Sequence, residues 1–211
     1  MNIVNGNTKI EDFLSMLSSK DPAPGGGGAS AAVAAVGAAL GHMVGSLTEG
    51  KKKYIDVRDD IERMNKQAKG LINELVGLVQ KDAECFIPLS QAYGLPNNTE
   101  EEQRIKNEVL ERELNNACSV PLEIMDKCSQ AINLCIEYAK KGSRLAVSDA
   151  AAGIIICEAA LKAASLNVYI NTKLMKNRER AEELNEKVDR FYSDCVVNAE
   201  EEFEKIRKSL I

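Results

Sequence analysis

Tryptophan is absent from this chain of 211 residues, and all aromatic residues together make up 4% of it. Few large rings are available for the interior, so the core must be packed mainly from aliphatic and small side chains. Apolar residues still account for 45% of the chain and charged residues for 28%, as in ordinary soluble globular proteins. A chain of this length is expected to form one domain, which we place at residues 1–211.

Histidine occurs once, as His42, and no two cysteines form a C-x-x-C pair. The sequence therefore has no zinc-type cluster, and we predict no metal site. A cysteine nucleophile would need His42 as its base, which disfavours that chemistry; a lone histidine on a helix of small residues is more often structural. We interpret the cysteines as buried, reduced thiols of a cytoplasmic protein. They are Cys85, Cys118, Cys128, Cys135, Cys157 and Cys195.

Positive charge is not in excess, because 27 Lys and Arg stand against 32 Asp and Glu, for a net charge of -5. Nucleic-acid-binding domains usually show a basic footprint, so we predict no nucleic-acid partner. No basic segment followed by an apolar segment opens the chain, so no secretory signal is expected. Residues 24–47 are long enough to raise the question of a membrane span, but alanine dominates them. We therefore predict no membrane partner.

No segment alternates with the period of a strand, and no strand precedes the run of four glycines at residues 25–28. A Rossmann fingerprint needs that strand, and a P-loop needs G-K-[S/T] after its glycines, so both are excluded. Apolar residues recur instead at steps of three and four along most of the chain. The fold class predicted is all-α, a compact helical bundle of roughly six to seven helices.

The stretch from Pro24 to Leu47 is the organising element of the chain. Gly25–Gly28 disfavour a helix interior, whereas the alanine-rich run that follows favours a helix. The glycines are therefore placed at a helix N-terminus, where free N–H groups and the helix dipole attract anions. We predict a site for a carboxylate or phosphate there, to which Ser30 adds a hydroxyl. The alternative is a flexible linker.

Three further glycines, Gly37, Gly41 and Gly45, recur every four residues and share one face of the same helix. A face of small residues lets another helix approach to backbone contact. We predict such a contact, with a subunit interface as one place where it can occur.

Capping patterns predict where other helices begin. Thr8 with Glu11, and Thr99 with Glu102, have the spacing of a capping box. Pro121 is expected to kink a helix or to open a new one, because proline is tolerated in a first turn.

Two carboxylates stand out. Asp82 lies on the apolar face of a long helix, two turns after Leu75, and a carboxylate there needs a partner or a function. Asp149, with Ser148, opens a second apolar helix, where the alternative role is a plain N-cap. Lys51–Lys53 are interpreted either as a solvated turn or, beside the glycine site, as ligands for a substrate carboxylate.

Seven segments, in this order, resemble one protein family. They are Pro24–Ala29 (PGGGGA), Leu47–Tyr54 (LTEGKKKY), Asp82–Glu84 (DAE), Tyr93–Glu101 (YGLPNNTEE), Val120–Leu122 (VPL), Val147–Ala150 (VSDA) and Leu166–Asn171 (LNVYIN). The family is that of the cyclodeaminases and cyclohydrolases of one-carbon folate metabolism. It includes bacterial methenyltetrahydrofolate cyclohydrolases and the cyclodeaminase half of formiminotransferase-cyclodeaminase. The chain departs from the family pattern where Gly-Asn is usual, because it has Gly142-Ser143-Arg144.

The resemblance implies an all-α, homodimeric, metal-free enzyme that acts on tetrahydrofolate and needs no other cofactor. The glutamate tail of folate suits the glycines and a nearby lysine, and the donor edge of the pterin suits a carboxylate. Whichever of Asp82 and Asp149 does not hold the pterin is then the general acid or base. The substrate-binding residues expected are Pro24, Gly25, Gly26, Gly27, Gly28, Ser30, Lys51, Lys52, Ser148 and Asn167.

Three functions remain open at this point. A cyclohydrolase adds water to 5,10-methenyltetrahydrofolate and gives 10-formyltetrahydrofolate. A cyclodeaminase closes 5-formiminotetrahydrofolate to the methenyl form and releases ammonia. The wording of Lys51–Tyr54 and Leu166–Tyr169, together with the single-domain length, favours the cyclohydrolase. A protein of another class, a non-catalytic folate-binding or scaffold bundle, is the third reading.

Overall fold

Residues 5–211 are described by a computed structural model, and every long element in that part of the chain is an α-helix. The helices are α1 Ile10–Leu17, α2 Gly26–Ser46, α3 Arg58–Tyr93, α4 Glu100–Ala117, α5 Ser119–Lys141, α6 Val147–Leu174, α7 Arg178–Phe191 and α8 Val197–Ser209. A π-helical turn, Tyr192–Val196, joins α7 to α8 without a loop. With these two taken as one rod, the bundle has seven rods, and the all-α prediction is confirmed.

Helix α2 packs closely on α5 and α6 because its glycines leave no side chain in the way. A Cβ atom on Gly37 would lie 2.5 Å from Cys157 Sγ, and one on Gly41 would lie 2.7 Å from Cys135 Sγ. The predicted backbone contact is therefore confirmed. It lies inside this chain, however, so the suggestion that this glycine face forms a subunit interface is wrong.

Helices α2 and α6 run antiparallel. Gly26, at the start of α2, lies against Asn167 near the end of α6, whereas Gly37 lies against Gly153 near the start of α6. The N-terminus of α2 and the C-terminus of α6 therefore share one end of the bundle. A helix of 21 residues is about 30 Å long, which separates that end from the other.

Among residues 5–211, α2 is the one helix long and apolar enough to cross a membrane. Other helices bury 56% of its most apolar stretch, and the core helix of a soluble protein passes the same test. Its central place in the bundle supplies the reason for its composition.

Several predicted boundaries are confirmed. The Thr99 hydroxyl accepts the Glu102 N–H, and the Glu102 carboxylate accepts the Thr99 N–H, which completes a capping box at α4. Pro121 lies in the first turn of α5, and Gly142 ends that helix.

Two predicted caps are wrong. Helix α1 starts at Ile10 after Lys9, and the Thr8 hydroxyl accepts the N–H of Asn5 instead of a helix amide. A short 3₁₀ turn, Arg144–Ala146, leads directly into α6. Ser148 and Asp149 consequently lie inside the first turn of α6 and do not cap it.

Candidate active site

A cleft of about 110 Å³ opens at the N-terminus of α2, between the ends of α3, α5 and α6. We call it the aspartate cleft. Gly25 is the N-cap of α2, and the next three glycines form the first turn of the helix, where a loop had been expected. The residues around the cleft include Gly25, Gly26, Gly27, Asp82, Cys85, Phe86, Asn167 and Asn171.

Asp82 reaches this helix start from α3. Its Oδ2 accepts the N–H of Gly28 at 2.8 Å, so the protein's own carboxylate takes one of the free amides of the α2 N-terminus. A side chain on Gly27 would overlap the Asp82 carboxylate, which explains the glycine there. The sequence predicts a bound anion at this helix start. At the Gly28 amide, the Asp82 carboxylate of the chain itself occupies that position.

Burial raises the pKa of Asp82 above the ordinary aspartate value, and the hydrogen bond from Gly28 N–H opposes the rise without cancelling it. Removing a carboxylate from water penalises the charged form. A carboxyl group with a raised pKa is the better proton acceptor once ionised, which suits general acid-base work near neutral pH.

The structure brings Asn167 to the same cleft, as predicted, and Asn171 joins it one turn later. Pro24 is buried behind the glycines. The Ser30 hydroxyl donates to the backbone oxygen of Gly26 at 2.6 Å and is itself buried, so it is committed to its own helix.

Lys51 and Lys52 lie at the opposite end of α2, in a second cleft of about 280 Å³. We call it the lysine cleft; Thr48, Glu49, Gly50, Tyr54 and Arg58 also line it. Since the two clefts stand at opposite ends of α2, about 30 Å separates them. Within one chain, these lysines cannot share a small ligand with the glycines.

The loop that carries the lysines is tied to the start of α6. The Thr48 hydroxyl accepts the N–H of Ser143 at 2.8 Å, and the Tyr54 hydroxyl accepts the N–H of Arg144 at 3.2 Å. Ser148 and Asp149 follow that turn directly, so they belong to the lysine end of the molecule. The predicted site residues are therefore divided between two ends.

Sequence reasoning missed several residues of both clefts. Cys85 follows Asp82 by three positions and so shares its helix face, a signal that was available. Glu49 and Tyr54 lie in the segment that carried the family resemblance, but they were given no role. Phe86 follows Asp82 by four positions and Asn171 follows Asn167 by four, so helix spacing also places both on the cleft face.

The six cysteines are all free, and five are buried. Burial raises the pKa of Cys118 and of Cys128 to about 12, so these two thiols stay protonated. Among residues 5–211, no three His, Cys, Asp or Glu side chains are grouped as ligands for a metal ion.

Fold and site together define an all-helical protein with a buried carboxylate at a helix N-terminus and a cleft of mixed charge at the other end of that helix. A sequence model of the formiminotransferase-cyclodeaminase family matches residues 9–190. The chain belongs to this family.

Individual relatives agree with the family. The chain is 42% identical to a methenyltetrahydrofolate cyclohydrolase of Methylorubrum extorquens, over 84% of this chain and 86% of that protein. It is 33% identical to the mouse formimidoyltransferase-cyclodeaminase over 80% of this chain, but spans 31% of that longer protein. A formiminotetrahydrofolate cyclodeaminase from Thermotoga maritima shares the fold, with a TM-score of 0.85, 24% identity and coverage of 97% and 98% of the two chains.

Proposed function

We propose that this protein is a methenyltetrahydrofolate cyclohydrolase that converts 5,10-methenyltetrahydrofolate and water into 10-formyltetrahydrofolate. The observation that carries the proposal is Asp82, a desolvated carboxyl group fixed by Gly28 N–H in an open cleft. The similarity to the M. extorquens cyclohydrolase, which covers most of both chains, supports the same reaction.

The reaction needs the protein mainly to position the substrate and a water molecule and to transfer protons. The bridge carbon between N5 and N10 is already electrophilic. Water adds to it, and the water proton passes to the Asp82 carboxylate as the C–O bond forms. The C–N5 bond then breaks, N5 takes the proton from Asp82, and the hydroxyl proton leaves to solvent as the formyl group remains on N10.

We infer that the working protein is a homodimer, because α2 and α6 expose a continuous apolar surface. Apolar residues on the outer face of α2 recur at steps of three and four, and Val36, halfway along, is 58% exposed. The neighbouring helix α6 adds Leu166, which is 64% exposed. A helix that is apolar on all sides is normally buried on all sides. The large exposed residues of this dimer face are Val33, Val36, Met43, Leu47, Ile155, Leu166, Ile170 and Leu174.

A two-fold axis through the middle of this face makes the interface self-complementary. With that axis perpendicular to α2, the α2 helices of the two copies run antiparallel, so the aspartate cleft of one copy lies beside the lysine cleft of the other. One ligand can then contact Asp82 and Asn167 from one copy and Lys51 and Lys52 from its partner. The dimer thus reunites the residues that the single chain keeps about 30 Å apart.

In this arrangement Asp82 is the acid-base residue, and Ser148 and Asp149 remain predicted substrate contacts at the lysine end. The free cysteines agree with a cytoplasmic location, which we also propose. The absence of a metal, of a further cofactor, and of membrane and nucleic-acid partners stays a prediction.

A cyclodeaminase is the second candidate, favoured by the similarity to the mouse enzyme. The same carboxylate would take the N10 proton as N10 attacks the carbon of the protonated formimino group, and would then pass that proton to the amino group, which leaves as ammonia. Both reactions pass through a carbon bound to N5 and N10, so the cleft serves either.

A paired absorbance assay separates the candidates. One sample holds 5,10-methenyltetrahydrofolate and the other 5-formiminotetrahydrofolate, and the methenyl band is followed against enzyme-free controls. We expect loss of the band in the first sample only. A gain in the second sample with ammonia release would establish the cyclodeaminase. A folded sample that binds tetrahydrofolate and turns over neither compound would leave the non-catalytic folate-binding protein, and one that also fails to bind it would contradict all three folate functions.

A further inference from the structure

The Glu49 carboxylate, in the lysine cleft, is held in place from the core of the protein. Asn65 Nδ2 donates to Glu49 Oε2 at 2.9 Å, and the Tyr138 hydroxyl donates to Asn65 Oδ1 at 2.9 Å. Tyr138 is 1% exposed and Asn65 is 9% exposed. A chain of two buried polar groups therefore ends on one carboxylate at the surface.

The bundle makes room for this chain of hydrogen bonds. A side chain on Gly45 would overlap Asn65, so glycine at that position keeps the space open. Burial raises the pKa of the Tyr138 hydroxyl, which therefore remains a hydrogen-bond donor. With its oxygen occupied by Tyr138, the Asn65 amide must present its NH₂ group to Glu49. Buried polar groups are costly unless they are paired, so this pairing fixes the amide in one orientation.

The surroundings of Glu49 carry mixed charge. Lys51 and Lys52 line the same cleft, whereas Arg58 is already paired with Glu62 at 2.8 Å. A cleft meant only for the carboxylates of a glutamate tail would not hold a fixed carboxylate among its lysines, because like charges repel. The ligand group that fits has N–H donors beside an acceptor.

We propose that Glu49 anchors the pterin ring of the substrate by accepting from its 2-amino and N3–H groups, while a cleft lysine donates to the 4-oxo group. The inference rests on the proposed function and deepens it. The pterin edge has two donors and one acceptor in a row, and Glu49 with a lysine offers the complementary row. Asn65 and Tyr138 are then positioning residues, and Glu49 takes the pterin-holding role that was expected of Asp149.

The division of labour between carboxylates follows from solvent. Glu49 is open to water and is held by a neutral amide, which suits a fixed acceptor. Asp82 is desolvated, which suits proton transfer. In the proposed dimer the pterin therefore lies in the lysine cleft of one copy, and its N5–N10 bridge points to the aspartate cleft of the other.

Two fragments of the substrate test this directly. Binding of 6-methyltetrahydropterin, which lacks the tail, and of p-aminobenzoylglutamate, which lacks the pterin, is measured by NMR titration of the intact protein. Glu49→Gln should weaken the pterin fragment by about tenfold to a hundredfold, since one bidentate charged acceptor is lost, and should leave the tail fragment within twofold. Glu74→Gln, on the outer surface beside Lys127, is the matched control and should leave the affinity for both fragments unchanged.

The positioning residues supply a second measurement. Tyr138→Phe removes only the hydroxyl that orients Asn65, so we expect a loss of about two- to fivefold in affinity for the pterin fragment. In turnover assays of this variant, KM should rise by the same factor, with kcat unchanged. Tyr192→Phe, whose hydroxyl meets Ser165 elsewhere in the bundle, should leave KM as it is.

The outcomes separate this inference from the proposed function. Wild-type protein that binds the pterin fragment no better than Glu49→Gln does, or a variant that loses only the tail fragment, overturns the role of Glu49 alone. If Glu49→Gln lowers kcat and leaves KM unchanged, Glu49 acts at the reacting bridge, and its role as a pterin anchor is overturned. Wild-type protein that binds neither fragment nor tetrahydrofolate overturns the folate function itself.

Discussion

The two ends of α2 carry clefts that are built in opposite ways. At the N-terminus, helices pack so closely that Gly27 is needed for space, and burial against this helix start raises the pKa of Asp82. At the C-terminus, the loop that carries the lysines is held in place because the Thr48 and Tyr54 hydroxyls accept backbone N–H groups of Ser143 and Arg144. The lysines of this loop are exposed.

In the proposed function the two ends of this one helix serve two kinds of chemistry. A packed cleft shields a carboxyl group in part from water and raises its pKa, which favours proton transfer. A loop cleft leaves its charges hydrated, so that they select and hold a ligand without altering its reactivity. In the proposed function neither end is a complete site, and this is the reason for expecting two copies to meet.

Removal of the Asp82 carboxylate should have the largest effect on activity. Asp82→Asn should lower kcat by about 10²–10⁴, the usual worth of a general acid or base, with the fold intact. For the wild type, activity should rise with pH through the Asp82 pKa, because the ionised form is the base. Since burial raises that pKa, the rise should lie above the ordinary aspartate value of about 3.9.

The pH-rate profile and thermal unfolding check this prediction. Glu84→Gln, an exposed carboxylate on the same helix, is the control and should match the wild type. Asp149→Asn would show the larger loss if the two aspartates had been assigned the wrong way round.

Separating the copies should disable both ends at once. Val36→Arg places two like charges at the centre of the proposed interface, so we expect a monomer in sedimentation and a loss of activity of about 10² or more. Val197→Arg, an equally exposed valine on α8, should stay dimeric and active. An active monomer of the Val36 variant would contradict the shared site.

Gly27→Ala tests the packing at the aspartate cleft. The added methyl group overlaps the Asp82 carboxylate, which must move away from Gly28 N–H, and activity should fall by about tenfold as a charge-assisted hydrogen bond is lost. Gly77→Ala on α3 meets no neighbouring atom within 4 Å and should leave kcat unchanged. Equal kcat values for the two variants would show that the position of Asp82 does not matter.

Subunit mixing tests whether Asp82 of one copy and the lysines of the other form one site. Asp82→Asn and a Lys51→Ala/Lys52→Ala double variant, each with low activity alone, are unfolded together and refolded. Half of the resulting dimers are mixed, and each mixed dimer has one intact site, so about a quarter of wild-type activity should return. If nothing returns although mixed dimers form, the lysines and Asp82 do not share a site across the interface.

The smallest effect is expected at the glycine of the loop end. Gly50 has a φ of +73°, a conformation that costs a residue with a side chain about 1 kcal/mol. Gly50→Ala should therefore lower the free energy of unfolding by roughly that amount in denaturant titration, with kcat little changed. A tenfold loss of kcat there would mean that the loop end also takes part in chemistry.

Local patterns predicted much of the fold. The spacing of apolar residues identified the helices, the Thr99 box was located correctly, and the glycines of α2 were expected to face another helix. The predicted helix caps were wrong where the cap residue makes another hydrogen bond or where another turn precedes the helix. The Thr8 hydroxyl accepts the N–H of Asn5, and a 3₁₀ turn displaces Ser148 and Asp149 from the cap position.

The helical class, the family and the kinds of residue that a folate site needs could be predicted from the sequence, because they depend on periodicity and on residue chemistry. The positions of those residues in space depend on the folded molecule. It paired Asp82 with the start of α2 and left Lys51 and Lys52 at the far end, since these contacts join positions distant in the chain. It also exposed the apolar face of α2, because the burial of a helix face depends on which neighbours the bundle places against it.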